Sequence, residues 1–234
     1  MSLIETDWPD KNIDNVKIID CSWHMPQTNR IGFEEYKNQH IPNAIFFDLD
    51  NNSKKNTNLP HMLVEKKEWE KIVSKMGVNN GDKIVIYDNS DVVSSCRCWF
   101  NFIYFGHDPK LVHVLNGGLK KWLAEKRKIT KDKINVQISN YRGLEKKELV
   151  KNKDFIDHNI DVQKFKVVDA RSKERFEGKV LEPRKGLKSG NIRNSFCIPF
   201  NLCLNVDKTF KNKKDLKNIF ETCMKNSSEL NVIF

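Results

Sequence analysis

Six cysteines carry the most reactive side chains in this sequence, and thiols can form disulfides, bind a metal or act as nucleophiles. No two of them are spaced as CxxC, and no histidine stands at zinc-finger spacing, which disfavours a metal site. The first residues, MSLIETDWPDKN, lack the apolar core of a secretory signal. We therefore expect reduced thiols in a cytosolic-type compartment. The cysteines are Cys21, Cys96, Cys98, Cys197, Cys203 and Cys223.

Cys96 and Cys98 form the closest pair, and two interpretations are open for them. One is a reactive dithiol. The other is packing on an amphipathic helix, which the 3.6-residue spacing of the surrounding apolar side chains favours. These side chains are Val92, Val93, Cys96, Trp99, Phe100 and Ile103.

Composition excludes several classes of protein. The chain of 234 residues has 41 basic and 31 acidic side chains, a net charge of +10. Much of this charge is lysine interleaved with asparagine, as in NNSKKNTN, which is typical of a solvated surface rather than a nucleic-acid groove. Mean hydropathy is −0.62, and no apolar run approaches the roughly 20 residues of a membrane helix. We expect a cytoplasmic or mitochondrial protein that binds neither nucleic acid nor membrane.

An internal repeat organises the chain. The run VKIID (16–20) recurs as FKVVDA (165–170), and HIPNAIFFDLD (40–50) recurs as NIRNSFCIPFNL (191–202). The second copy carries an insertion, EPRKGLKSG, directly before NIRNSFCIPFNL. A period this long indicates two similar domains rather than a solenoid. We place the first domain at 1–135, a linker at 136–150 and the second domain at 151–234.

Within the first repeat, short apolar strands alternate with helical patterns, which is typical of an α/β fold with parallel sheets flanked by helices. Asp20 and Asp169 each end the first strand of a repeat, and we expect them to orient the next loop by accepting backbone hydrogen bonds. The predicted strands are 16–20, 44–49, 83–88 and 112–115, and the predicted helices are 68–77, 91–106 and 117–126.

The second repeat reaches only NVIF (231–234), which corresponds to the strand KIVIY (83–87) of the first. The first repeat continues with a loop, a helix, a strand and another helix. We therefore expect the second domain to be truncated and the sequence to be part of a longer protein; a degenerate second domain is the alternative.

Nine pieces, in order, resemble the tandem rhodanese family of sulfurtransferases. They include IIDCSW, LPHML, VLNGGLKKW, VVDARSKERFEG and EPRKGL. The resemblance implies an inactive first domain, an active second domain and a site in the cleft between them. It also implies a cysteine that carries sulfur as a persulfide, just after Phe234, with no metal or organic cofactor. The loop DNSDVVSSCR (88–97) would be the inactive counterpart of the catalytic loop.

The branch that the sequence resembles most is the 3-mercaptopyruvate type. By this resemblance Arg184 and Arg193 bind the substrate, and a planar guanidinium can hold a carboxylate through two hydrogen bonds. Asp48 and His61 would pair with a serine of the absent loop in a proton relay. The alternatives are a surface salt bridge for each arginine, a loop cap for Asp48 and an ordinary loop histidine for His61.

The expected function is transfer of sulfur from 3-mercaptopyruvate, a small anionic donor, to cyanide, thioredoxin or another thiol, with release of pyruvate. Two alternatives remain within this fold. The first is a sulfurtransferase that uses thiosulfate as its donor. The second is a protein of another functional class, a non-catalytic rhodanese-fold module that binds a partner protein.

Overall fold

The computed structural model describes residues 2–183 and 186–224, together with the backbone of 232–233. The chain divides into two compact units, Met1–Leu149 and Val150–Phe234. Within 2–183 and 186–224, every helix is too short or too polar to cross a membrane.

The first unit is built on a five-stranded sheet in the order β1-β5-β4-β2-β3, and every strand pair is parallel. The predicted parallel α/β fold is confirmed. Strand β1 was not predicted, because two residues are too few to show a pattern. The strands are β1 (Leu3–Ile4), β2 (Lys17–Asp20), β3 (Ala44–Phe46), β4 (Ile84–Tyr87) and β5 (Val112–Leu115). The helices are α1 (Asp7–Lys11), α2 (Gly32–Asn38), α3 (Lys66–Lys75), α4 (Ser95–Tyr104) and α5 (Gly118–Ala124).

Apolar side chains cover both faces of this sheet, because alternate residues of a strand point to opposite sides. Ile19 belongs to a core that includes Trp69 of α3 and Phe102 of α4. Ile18 belongs to a second core that includes Trp122 of α5. The two layers of helices fix the strands, and the strands fix the loops at their carboxyl ends.

Helix α4 begins at Ser95 rather than near Asp91, where the sequence predicts its cap. The loop before it contains Val93 at φ 51°, a left-handed conformation that interrupts a helix. Asp88, at the end of β4, accepts a hydrogen bond from the Ser95 N–H at 2.8 Å and so fixes the start of the helix. Cys98 is fully buried in the core, which confirms the packing interpretation for this cysteine.

Much of the segment predicted as a linker packs against the first unit. The Ser139 N–H donates to the Ser74 carbonyl at 2.9 Å, and the Leu144 N–H donates to the Phe105 carbonyl at 2.8 Å. Tyr141 is buried in the core of α3 and α4. The polar composition of this stretch conceals these anchors, because they use backbone groups and a single aromatic ring.

The second unit repeats the central strands of the first. Its sheet has the order β7-β6-β8, also fully parallel, which corresponds to β3-β2-β4. The two turns preceding the outer strands agree in detail, since Asn43 and Asn194 have φ 63° and 65°. The strands are β6 (Lys166–Asp169), β7 (Phe196–Cys197) and β8 (Val232–Ile233), and the helices are α6 (Lys153–Val162), α7 (Lys173–Phe176) and α8 (Lys213–Cys223).

A close backbone contact at the start of α2 leads to a stability prediction. A Cβ at Gly32 would lie 2.0 Å from the Ser22 carbonyl oxygen, so alanine there must displace backbone. We expect Gly32→Ala to lower the free energy of unfolding by about 2 kcal/mol, as for other overpacked sites. Urea denaturation measures it. Gly81→Ala is the matched control, because a Cβ there meets no atom within 4 Å; equal losses in both variants would contradict the prediction.

Candidate functional site

A histidine–carboxylate pair lies beyond the carboxyl end of β3. His61 Nε2 is 2.8 Å from Asp50 Oδ1. The indole N–H of Trp23 donates to the same carboxylate, at 3.1 Å and 3.0 Å from its two oxygens. The carboxylate therefore orients the imidazole, which is the arrangement a histidine needs to transfer protons.

Three features fix the position of His61. Its backbone is left-handed at φ 53°. Its carbonyl accepts a hydrogen bond from the guanidinium of Arg97, which projects from α4. The Trp23 ring lies edge-on to the imidazole, with the ring centroids 4.8 Å apart and the planes at 87°. These contacts restrict the position of the imidazole while leaving 18% of the side chain exposed.

The sequence predicts Asp48 as the partner of His61, and the structure corrects this pairing to Asp50. The Asp48 carboxylate instead accepts hydrogen bonds from the backbone and side chain of Asn51, at 2.9 Å and 2.7 Å. The physical reason is the turn that follows β3, where an aspartate caps the amide three residues ahead. Asp48 and Asp50 both line an open pocket of 310 Å³ beside Trp23.

Three of these residues were not singled out by sequence reasoning. Asp50 is separated from Asp48 only by the buried Leu49, and composition does not distinguish the two carboxylates. Trp23 stands in the IIDCSW piece of the family resemblance, which is the available signal for it. Arg97 lies beside two cysteines on α4, and nothing in its neighbours points to His61.

Asp20 and Asp169 occupy equivalent positions at the ends of β2 and β6, and both confirm the predicted structural role. Asp20 accepts from the Ser22 N–H at 2.8 Å, and Asp169 accepts from the Arg171 N–H at 2.9 Å. Their titration differs. Burial raises the pKa of Asp20 to about 6, and the nearby Asp88 carboxylate adds to the effect. At Asp169, burial acts in the same direction, but hydrogen bonds from Arg171 outweigh it and the pKa lies below its usual range.

The two arginines predicted to bind the substrate fall in the second unit. Arg184 lies outside the described residues. Arg193 makes an ion pair with Asp161 of α6 at 2.8 Å, with both side chains at least 70% exposed. An exposed pair of this kind is weak and easily exchanged for another anion. The observed contact of Arg193 is therefore the surface salt bridge that the sequence left open as its alternative.

The surroundings of four cysteines disfavour their thiolate forms. Burial raises the pKa of Cys21 well above its usual range and that of Cys96 to about 12. Burial also raises the pKa values of Cys197 and Cys203. A raised pKa reduces the thiolate, which is the reactive form. Within 2–183 and 186–224, no group of three or more His, Cys, Asp or Glu side chains is placed to hold a metal ion.

Comparison with known proteins identifies the family. A profile of the rhodanese-like domain matches residues 5–125. The mouse 3-mercaptopyruvate sulfurtransferase is 33% identical over 88% of this chain and 69% of its own length. The chain belongs to the tandem rhodanese-like sulfurtransferase family.

Another member of this sulfurtransferase family is the Arabidopsis thaliana mitochondrial thiosulfate/3-mercaptopyruvate sulfurtransferase 1, 35% identical over 94% of this chain. The chain spans 63% of the length of that relative. The crystal structure of SseA from Escherichia coli, a 3-mercaptopyruvate sulfotransferase, superposes with a TM-score of 0.86 at 25% identity, covering 95% of this chain and 84% of SseA. The rhodanese fold that the family resemblance implies is therefore confirmed.

Proposed function

We propose that the protein transfers sulfane sulfur from 3-mercaptopyruvate to a thiol such as thioredoxin, or to cyanide, and releases pyruvate. The observation that carries the proposal is the Asp50–His61 pair, fixed by Trp23 and Arg97 beside an open pocket. Breaking a carbon–sulfur bond next to a ketone leaves an enolate, and an oriented imidazole is suited to delivering the proton that the enolate takes up.

The proposed reaction has two steps. A cysteine thiolate attacks the sulfur of 3-mercaptopyruvate, the carbon–sulfur bond breaks, and its electron pair stays on carbon as the enolate of pyruvate, which takes up a proton. The acceptor thiolate or cyanide then attacks the outer sulfur of the persulfide and regenerates the cysteine thiolate. His61, oriented by Asp50, moves the proton through a serine of the catalytic loop. Asp48 supports this site by shaping the turn that carries Asp50.

The sulfur-carrying cysteine is proposed to follow Phe234, as in the family that the chain belongs to. Two features of the cysteines support this. Four of the six have raised pKa values, and Cys98 is buried in the core. A sulfur carrier needs an accessible thiolate, which favours a loop cradled by backbone N–H groups at the start of a helix.

Donor choice is proposed to depend on Arg184 and Arg193, because two guanidinium groups suit a 2-oxo acid better than a small inorganic anion. The exposed Asp161 would release Arg193 readily to a bound carboxylate. Thiosulfate is the second candidate donor, since the Arabidopsis relative carries both donors in its name.

The donor proposal predicts an unequal effect of one substitution. In the natively expressed protein, we expect Arg184→Ala to lower kcat/KM for 3-mercaptopyruvate about 30-fold, or ~2 kcal/mol, the scale of a lost charge-assisted hydrogen bond. Turnover of thiosulfate should change less. Steady-state kinetics with both donors measures this, and equal losses with both, or wild-type turnover with thiosulfate alone, would contradict the donor proposal.

A further inference from the structure

We propose that the first-repeat loop, residues 88–97, positions the Asp50–His61 pair, and that Ser94 is its principal positioning residue. By the family resemblance this loop is the inactive counterpart of the catalytic loop, so it has no assigned role. The role proposed here rests on the proposed function of the Asp50–His61 pair in sulfur transfer. The contacts that carry it all lie within the first unit, among described residues.

Ser94 holds the backbone that carries Trp23. Its hydroxyl donates to the Cys21 carbonyl at 2.5 Å and accepts from the Trp23 N–H at 3.1 Å. The residue is only 5% exposed, so water competes little for these two hydrogen bonds. Ser94 thereby fixes the Trp23 backbone, and the Trp23 indole in turn donates to the Asp50 carboxylate.

The Ser94 hydroxyl does not serve the helix that follows it. Ser94 is the N-cap residue of α4, where a serine side chain usually accepts from a backbone N–H of the first turn. Here it makes no such hydrogen bond. The Ser95 N–H donates to the Asp88 carboxylate instead. Because Asp88 fixes the start of the helix, the Ser94 hydroxyl is left to hold Trp23.

Two further side chains of the first-repeat loop reach the residues that contact Asp50. The Ser90 hydroxyl donates to the Trp23 carbonyl, so the loop binds both polar groups of the Trp23 backbone. The Arg97 guanidinium donates to the His61 carbonyl. The loop therefore fixes the backbones of both Trp23 and His61, whose side chains contact the Asp50 carboxylate.

Arg97 has an environment that does not favour stability. Its Nε is buried without a hydrogen-bond partner, and burial lowers the pKa of the guanidinium. Its partners are the His61 carbonyl and the ring of Phe100, whose centroid lies 5.8 Å from the guanidinium carbon. Among the residues that the structure describes, no carboxylate pairs with it. A buried cation without a carboxylate costs folding energy, and such a cost is expected at a functional site rather than in a scaffold.

The decisive variant is Ser94→Ala, with Ser139→Ala as its matched control. The Ser139 hydroxyl also bonds to backbone carbonyls, those of Ser74 and Val78, which precede β4, whereas the site lies beyond the carboxyl ends of the strands. In the natively expressed protein, we expect Ser94→Ala to lower kcat for 3-mercaptopyruvate about 10- to 100-fold with KM within about threefold, because it disturbs the proton relay rather than donor binding. Ser139→Ala should keep kcat within about twofold of the wild type. Urea denaturation checks that both variants are folded.

Two further measurements separate positioning from stability. Hydrogen exchange of the Trp23 indole N–H, assigned by NMR with Trp23→Phe, should accelerate about tenfold or more in Ser94→Ala but not in Ser139→Ala. Arg97→Met should lower kcat about tenfold or more while the urea midpoint stays at or above that of the wild type, because methionine removes a buried charge. A residue needed only for folding would instead lower the urea midpoint.

Each outcome decides a different claim. Wild-type kcat in both Ser94→Ala and Arg97→Met would overturn the positioning role of the loop. Equal losses of kcat in Ser94→Ala and Ser139→Ala would overturn it as well, since they would reflect destabilisation alone. Unchanged indole exchange in Ser94→Ala would overturn the route through Trp23. If the wild-type protein fails to turn over 3-mercaptopyruvate, the proposed function fails, and the indole exchange still decides whether Ser94 holds Trp23. Should Ser94→Ala not fold, Arg97→Met tests the loop from its other end.

Discussion

Asparagine in place of Asp50 should lower kcat for 3-mercaptopyruvate about 100- to 1,000-fold, within the range for loss of an oriented general acid–base group. The carboxylate accepts from the Trp23 indole and lies 2.8 Å from His61 Nε2. An asparagine has a single acceptor oxygen and presents N–H groups at the other position. It can hold both rings only by accepting from Trp23 and donating to His61 Nε2, which fixes the imidazole in the opposite tautomer and removes the negative charge that stabilises its protonated form. Steady-state kinetics of the natively expressed protein measures the effect.

The chain provides a matched control two residues away. Asp48→Asn keeps an oxygen that can accept from the Asn51 N–H, and its side chain does not contact His61. We expect kcat within about threefold of the wild type. The reverse result, a large loss in Asp48→Asn and a small one in Asp50→Asn, would restore the pairing predicted from the sequence and contradict the role derived from the structure.

Asp20→Asn should change the pH dependence of stability by about 3 kcal/mol. Burial, reinforced by Asp88, raises the pKa of Asp20 from 3.8 to about 6 in the folded state. Between pH 3.8 and about 6 the folded protein holds a proton that the unfolded chain has lost, so this group makes the protein less stable as pH rises. The stabilisation is complete below pH 3.8 and lost above about pH 6. At 1.36 kcal/mol per pKa unit, the total is about 3 kcal/mol.

The difference in free energy of unfolding between the wild type and Asp20→Asn isolates the contribution of the Asp20 carboxyl. We expect the free energy of unfolding of the wild type, minus that of Asp20→Asn, to fall by about 2.4 kcal/mol of this total from pH 4 to pH 7, as urea denaturation measures. Carboxylates that do not interact with Asp20 titrate in both proteins and cancel. Asp169→Asn should give a nearly flat difference over most of this range, because Arg171 lowers the pKa of that carboxyl below 3.8 against the effect of burial, and its contribution is lost only as pH falls below that value. A flat difference for Asp20→Asn would show that this carboxyl stays ionised in the folded protein.

The fold follows from the sequence because its signals are local and repeated. β-Branched runs such as VKIID and KIVIY form the central strands of the first unit. Similar runs in the part of the chain that follows residue 150 predict the second sheet. Alternation of strands with helical patterns predicts parallel pairing. The start of α4 could not be predicted, because it depends on the Asp88 carboxylate reaching the Ser95 N–H and on the left-handed Val93.

The candidate site is harder to predict from the sequence, because it depends on the directions in which side chains leave turns. Asp48 and Asp50 are chemically identical, and only the path of the turn decides which one reaches His61. The Arg97 contact joins residues far apart in sequence through a backbone carbonyl, which leaves no sequence pattern.

The central claim is that this protein carries sulfur from 3-mercaptopyruvate on a cysteine. The most direct measurement is the intact mass of the natively expressed protein after incubation with 3-mercaptopyruvate, and again after addition of cyanide, with pyruvate measured in parallel. We predict a gain of about 32 Da, one sulfur atom on a thiolate, which cyanide removes, with one pyruvate formed per sulfur bound. An unchanged mass with no pyruvate would contradict the proposed function.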